Sequence, residues 1–321
     1  MKWIVQLAIC VLTAATAAQA EQYSGHTVTI LVPYAAGGPT DQLARQLAPA
    51  LADKLKQTVI VENVSGGGTL IATGRLARAA PDGHTLLLHN LQISANVSLY
   101  ANIPFDTEND LTPVIFINQN PLVLAGRKTL APNTLPELIG YMKGNDTKIA
   151  YPGVGATGHL ATSLLLKEAQ LKGTLVPYRG AAPALQDLLG GHVDLFFATP
   201  QSVMALAAAG SVKVYGITAR EKSPQFPGAD SFVQALGPKL EILYWHALFV
   251  PAGTPDPIVE TLNAAIQEIV EDPATLKTWA DTGVAPFPKD QRSPAAARAM
   301  LKGEITRWGQ VVRDNNIQGQ M

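Results

Sequence analysis

The sequence predicts an α/β protein, and three features of it do so. Short apolar runs recur along the chain, amphipathic helical patterns lie between them, and glycine-rich turns stand where a strand should hand over to a helix. The runs are TVTILV, TVIV, TLLL, VIFI, LVLA, KIAY, TLVPY, VDLFFA, VKVYGIT and WHALFV. They are nearly continuous rather than alternating, as strands covered on both faces are, which points to mostly parallel sheets.

The helices follow from spacing. Leu43, Leu47, Leu51 and Leu55 fall four apart, with Pro49 expected to bend the helix they mark. Leu160 with Leu164, and Ala161 with Leu165 and Ala169, form a second stripe; Ile258, Leu262, Ile266 and Ile269 form a third, for which Thr254 before Pro255 reads as a capped start.

The first twenty residues read as an address. Lys2 supplies a positive start, Ile4 to Ala15 an apolar stretch too short to span a bilayer, and Ala18-Gln19-Ala20 a small-x-small cleavage site. Export to the periplasm with cleavage after Ala20 is the expectation. Ile9 stands where a lipoprotein box needs a small residue, so Cys10 is not expected to carry lipid. Cys10 is the only cysteine, so the remaining 301 of 321 residues have no thiol, and a core spread over two domains must hold them together.

Composition excludes further classes. Without Lys2 the chain has 23 basic and 25 acidic residues and no basic stripe of the kind nucleic acid requires. No catalytic constellation emerges: GxSxG and HExxH are absent, and His84 and His89 are five apart, on opposite faces of a strand. No metal site, cofactor or catalytic residue is therefore assigned. Trp245 reads as core; Phe197 reads as core first and as a ligand wall second.

Chemistry concentrates in three loops that follow strands. They are VPYAAGGPTD (residues 32–41), the stretch around Gly66-Gly67-Gly68, and YPGVGATGHL (residues 151–160), which repeats the grammar of the first. In open α/β sheets ligands lie where such loops enter helices. Small residues let an anion approach the backbone, and the first N–H groups of each helix have no internal partner. The absence of Lys and Arg favours a carboxylate over a polyphosphate. One helix dipole contributes about 0.3 to 1 kcal/mol, against about 8 for micromolar affinity, so two loops must close on one ligand. Gly153 to Gly158 match GxGxxG, but the next strand ends in Tyr178 and Arg179 rather than in an acidic residue, which weighs against a dinucleotide. His159 opens the helix of this loop, where capping and ligand contact both suit it.

The motifs VPYAAGGPTD, APDGHTLLL, NVSLYANIPFDTENDLTPV, YPGVGATGHL, VPYRGAAPALQDLLGGHVDLFF, LAAAGSVKVYGITAREKSP and WHALFVPAGTPDPIVETLNAAI, in this order, resemble the extracytoplasmic solute-binding proteins of tripartite tricarboxylate transporters, the Bug family. The resemblance covers about residues 24–315. It implies a type II periplasmic binding protein with two lobes, residues 21–120 with 219–321 and residues 121–218, joined by a hinge that the chain crosses twice. It also implies a monomer that captures a small organic carboxylate, by backbone amides, hydroxyls and water, and delivers it to membrane permease subunits.

Carried over residue by residue, the first clamp falls on Tyr34, Ala36, Gly37, Gly38, Thr40 and Asp41, and the second on Gly155, Ala156, Thr157, Gly158 and His159. Asp41 is expected to cap its helix and order water, since its charge would repel a carboxylate. Gln92 and Ser94 are candidates for reading the far end of the ligand, with Phe197 and Thr199 on the wall. NVSGGG replaces the family's NRPGAGG, and FFATP carries Ala198 and Thr199 where relatives often have FDN. Without that acid an ammonium has no partner, so a mono- or dicarboxylate, aliphatic or aromatic, is favoured over an amino acid. Two rival readings are an exported α/β enzyme acting on organic acids and a ligand-sensing co-receptor.

Overall fold

The computed structural model describes residues 25–317. The expected export segment and its cleavage site lie outside the described residues. All ten apolar runs form strands, and the turns between them place the helices.

From the N-terminal side the elements are β1 (Val28–Val32), α1 (Pro39–Leu55), β2 (Val59–Asn63), α2 (Leu70–Ala77), β3 (Thr85–Asn90), α3 (Gln92–Leu99) and β4 (Leu111–Pro121). Next come β5 (Val123–Arg127), α4 (Leu135–Gly144), β6 (Lys148–Tyr151), α5 (Thr157–Glu168), β7 (Thr174–Pro177), α6 (Ala181–Gly190), β8 (Leu195–Ala198), α7 (Pro200–Ala208), β9 (Val212–Ile217), β10 (Asp230–Ser231) and α8 (Phe232–Leu236). The chain ends with β11 (Leu243–Pro251), α9 (Asp256–Glu271), α10 (Pro273–Asp281), β12 (Ala285–Pro286) and α11 (Pro294–Asp314).

Two six-stranded sheets result, in the orders β12-β4-β11-β3-β1-β2 and β10-β9-β5-β8-β6-β7. Both contain the same parallel core, β2-β1-β3 in one and β7-β6-β8 in the other. Both are mixed: two of the five strand pairings in the first sheet and three of the five in the second are parallel. β4 and β11 run antiparallel to each other, β11 is antiparallel to β3, and β5 is antiparallel to both β8 and β9. The reason is connectivity: β4 leads straight into β5, and β11 brings the chain back into the first sheet, so neither belongs to a strand–helix–strand repeat.

Side-chain alternation divides the core. Leu86 and Leu88 of β3 face one side of the first sheet, with Leu43, Leu47 and Leu51 of α1 and Leu262, Ile266 and Ile269 of α9. Leu87 faces the other side, with Leu99 of α3 and Leu301, Ile305 and Trp308 of α11. α1 runs unbroken through Pro49. Thr254 does not cap α9: its hydroxyl donates to the carbonyl of Pro251 at 2.8 Å, and Pro255 takes the cap position without a side-chain hydrogen bond. Trp245 is core as expected, its indole donating to Glu304 Oε2 at 2.7 Å.

Thr218 ties the passages between the sheets together. Its N–H donates to the carbonyl of Leu122 (2.9 Å), and its carbonyl accepts from the N–H of Ile242 (3.0 Å). Its hydroxyl accepts from the N–H of Leu122 (2.8 Å) and donates to the carbonyl of Ile242 (2.6 Å). Leu122 joins β4 to β5 and Ile242 precedes β11, so one buried residue holds both crossing segments. Asp230 and Ser231 pair with β9 in the second sheet, and the chain enters the first sheet only at Leu243.

Candidate functional site

β1 lies between β2 and β3, and β6 between β7 and β8, so each stands where its sheet reverses strand order. Loops leaving the carboxyl ends of such strands diverge and open a crevice. The loops after β1 and β6 face each other across it, which gives their matching grammar a topological cause.

Tyr34, Ala35, Ala36, Gly38, Pro39 and Thr40 line the crevice from the first loop, with Asn90 and Tyr244 behind them. Pro152, Ala156, Thr157 and Gly158 line it from the opposite side. Gly180 to Pro183 and Phe196 to Thr199 complete the wall, and Leu122 of the hinge closes its base. The space available to the centres of water-sized molecules is about 70 Å³, a volume for a small metabolite rather than a peptide.

No lining residue carries a charged side chain. The positive potential comes from backbone instead, because the N-termini of α1, α5, α6 and α7 all contribute to the lining. Hydrogen-bond accounting shows which donors remain. In α1 Pro39 has no N–H, leaving those of Gly38, Thr40 and Asp41 without an intrahelical acceptor. In the loop before α5 the N–H of Ala156 is taken by the carbonyl of Gly153 (3.1 Å) and that of His159 by Ala156 (2.8 Å). Gly155 N–H donates to His159 Nδ1 at 3.1 Å. Only Thr157 and Gly158 then offer first-turn donors.

Thr157 adds a second observation. It is 3% exposed, lines the crevice, and its Oγ1 has no hydrogen-bond partner. A buried hydroxyl without a partner costs about 1 to 3 kcal/mol, so this atom calls for a polar group in the cavity.

On the opposite wall the protons are ordered. Asn118 Oδ1 can only accept, so His246, 2.8 Å away, carries its proton on Nδ1. Its Nε2 accepts from the Thr40 hydroxyl at 3.2 Å. Burial, followed by the neighbouring His89, lowers the pKa of His246 to about 3, which keeps the ring neutral. Tyr244 Oη accepts from Asn90 Nδ2 at 3.0 Å, and its proton can go to Thr40 Oγ1 at 3.1 Å or into the crevice. Burial pushes the Tyr244 hydroxyl up to about 12, so it is a neutral donor.

The structure gathers Tyr34, Ala36, Gly38, Thr40, Ala156, Thr157, Gly158, Phe197 and Thr199 into one lining. The other sequence candidates lie elsewhere. Gly37 donates its N–H to Asp41 Oδ2 at 2.8 Å, and Asp41 sits beneath the loop, held also by Asn63 (2.9 Å) and Arg45 (3.0 Å). Burial pushes the Asp41 carboxyl up, but the bonds from Arg45, Gly37 and Asn63 together with the Arg45 charge outweigh it and hold the group below its ordinary range. Ser94 is fully buried away from the lining. Gln92 and Gly155 meet each other behind it.

His159 turns its ring away from the crevice, stacks on Tyr151 with centroids 4.4 Å apart, and lines a separate cavity with Asn315 and Asn316. Burial lowers its pKa to about 4.

Sequence reading missed Asn90, Tyr244 and the turn at Gly180 to Pro183. The last follows the same strand, small residues, helix grammar as the two loops that were read. Asn90 and Tyr244 are polar residues at the ends of buried apolar runs, a signal that the strand meets something polar there.

The family model described as "Tripartite tricarboxylate transporter family receptor" matches residues 43–317. The chain belongs to this family. The periplasmic binding protein BugD shares 32% identity with it and superposes with a TM-score of 0.86, over 92% of this chain and 99% of BugD. MatC from Rhodopseudomonas palustris, solved with bound malate, is 35% identical, with a TM-score of 0.84 over 89% and 98% of the two chains. Rpa4515 from R. palustris, solved with adipate, is 30% identical, with a TM-score of 0.85 over 91% and 98%. The tripartite tricarboxylate transporter receptor family supplies the fold, and this member is a solute-binding protein. No helix among the described residues is long and apolar enough to cross a membrane.

Proposed function

We propose that this receptor captures a small mono- or dicarboxylate, aliphatic or aromatic, between its two lobes, and passes it to the permease of a tripartite tricarboxylate transporter. One carboxylate sits between the N-termini of α1 and α5. The free N–H groups of Gly38, Thr40, Thr157 and Gly158 and the hydroxyl of Thr157 bind it, and ordered water fills the remaining sites. Charge-assisted hydrogen bonds of about 1.5 to 3 kcal/mol each supply the affinity that helix dipoles alone cannot. Malate in MatC and adipate in Rpa4515 support a carboxylate of this size.

The observation that carries the reading is the partnerless Thr157 hydroxyl in a crevice rimmed by helix N-termini and free of charged side chains. The rest of the assignment belongs to the same proposal: export with cleavage after Ala20, a periplasmic monomer, no turnover of the bound acid, and two lobes, residues 21–120 with the chain from Leu243 onward, and residues 121–218 with the stretch 219–242, whose Asp230 and Ser231 pair with β9. Neither buried histidine of the first lobe reaches the lining to act on a substrate: His246 bonds Thr40 and Asn118, and His89 bonds Thr69 and Asn90.

A thermal-shift screen with malate, adipate, benzoate and neutral sugars tests the reading. A carboxylate at a hundred times its Kd should stabilise the protein by about 2.7 kcal/mol. If no carboxylate raises the melting temperature while sugars do, the reading is wrong.

A further inference from the structure

Gln92 was a candidate for touching the ligand, yet its side chain is fully engaged elsewhere. It opens α3 and is 2% exposed. Its Nε2 donates to the carbonyl of Val154 at 2.9 Å and to that of Gly68 at 3.3 Å. Its Oε1 lies 3.0 Å from the hydroxyl of Tyr34, whose single proton it shares with Asn90 Oδ1 at 2.8 Å. An amide has two N–H groups, and both are spent on these two carbonyls, leaving no donor for a ligand.

These partners belong to different parts of the molecule. Gly68 and Tyr34 belong to the lobe of the first sheet, and Tyr34 lines the crevice. Val154 belongs to the loop between β6 and α5 of the opposite lobe, two residues before the clamp begins at Ala156. One side chain therefore joins a ligand wall to the facing clamp across the gap between lobes.

Gly155 makes that junction possible. Its φ is +77°, and a Cβ there would stand 2.3 Å from Leu99 Cδ1 and 3.3 Å from Asn96 Oδ1, both on α3. The loop is seated directly on the helix that carries Gln92. Any parting of the lobes would have to break the Gln92 to Val154 bond and lift Gly155 off Leu99.

We propose that Gln92 is a closure latch, a positioning residue that holds the second clamp at ligand distance and acts through Val154 without touching the ligand. This rests on the reading of the crevice as the binding site. The latch stabilises the closed form for every acid alike and contributes nothing to the choice among them. Losing one hydrogen bond of this kind should raise dissociation rates about threefold to tenfold.

The test compares the wild-type chain with Gln92→Met, which keeps length and loses the amide, and with Gly155→Ala, which blocks seating on Leu99. Dissociation rates of malate and adipate are measured, and radii of gyration are taken by small-angle scattering with and without these acids. Both variants should release the two acids faster by the same factor and be more open than wild type. Unchanged rates overturn the proposal, and so does a change in the ratio of malate to adipate affinity, which would make Gln92 a ligand reader. If wild type binds neither acid, the carboxylate reading falls first. The latch is then decided by the free proteins: a wider radius in Gln92→Met supports it, and equal radii overturn it. Should Gln92→Met fail to fold, the same comparison with Gly155→Ala decides.

Discussion

Thr157→Val separates binding from folding in one substitution, because the two should move in opposite directions. Valine keeps the shape of threonine and removes only the hydroxyl, which is buried and has no partner in the structure. Removing a partnerless buried hydroxyl relieves a penalty of about 1 to 3 kcal/mol, and a water that serves it in the open protein reduces the gain to about 1 kcal/mol or less. In the complex the same hydroxyl donates to a carboxylate, a charge-assisted bond of about 1.5 to 3 kcal/mol. Affinity should therefore fall roughly 10- to 150-fold while the free protein keeps or slightly gains stability. Urea unfolding of the free protein and calorimetric titration with malate and adipate measure the two terms. Unchanged affinity would refute the clamp, and a clear loss of stability would show that the hydroxyl has a structural partner.

Two more predictions concern the frame. His89, His159 and His246 are held neutral by burial, with pKa values of about 3, 4 and 3 against an ordinary 6.5. The unfolded chain binds protons on them below about pH 6.5 and the native chain does not. Stability is complete above that pH and falls as pH drops toward 4, at roughly 4 kcal/mol per pH unit for three protons. His246→Gln should reduce that slope by about 1.4 kcal/mol per unit in denaturation curves taken across pH 4 to 6.5, and equal slopes would contradict the assignment. At the hinge, Thr218→Val would leave the N–H of Leu122 and the carbonyl of Ile242 without their hydroxyl partner. A loss of about 1 to 3 kcal/mol for each should appear in urea unfolding, and a loss below half a kcal/mol would show that the knot is redundant.

How much of the site was legible can be seen residue by residue. Gly38 and Thr157 stand at strand–turn–helix junctions that local grammar marks, so sequence found them. Gly155 and His159 share that grammar, yet a left-handed turn at Gly155 sends its N–H to the imidazole and its surface to Leu99, away from the cavity. Asp41 was placed in the first clamp with a charge that argued against direct contact; it lies outside the lining, held by Gly37 and Arg45 four residues away on either side, and by Asn63 of β2, 22 residues on, which only strand pairing brings near. Gln92 lies 62 residues from Val154, and no local pattern connects them.

Local physics is what the sequence by itself settled: ten apolar runs as strands, the stripes as helices, the uncharged glycine turns after β1 and β6 as strand-to-helix junctions, and the family through its ordered motifs. Those features depend on neighbours a few residues away, which a one-dimensional reading contains. Tertiary structure alone decided which of the small-residue turns converge, which of their N–H groups remain free, how Thr218 knots the crossings, and that Gln92 bridges the lobes. Each of these depends on hydrogen-bond partners and close approaches between segments far apart in the chain, and those are set by strand order and lobe packing rather than by local composition.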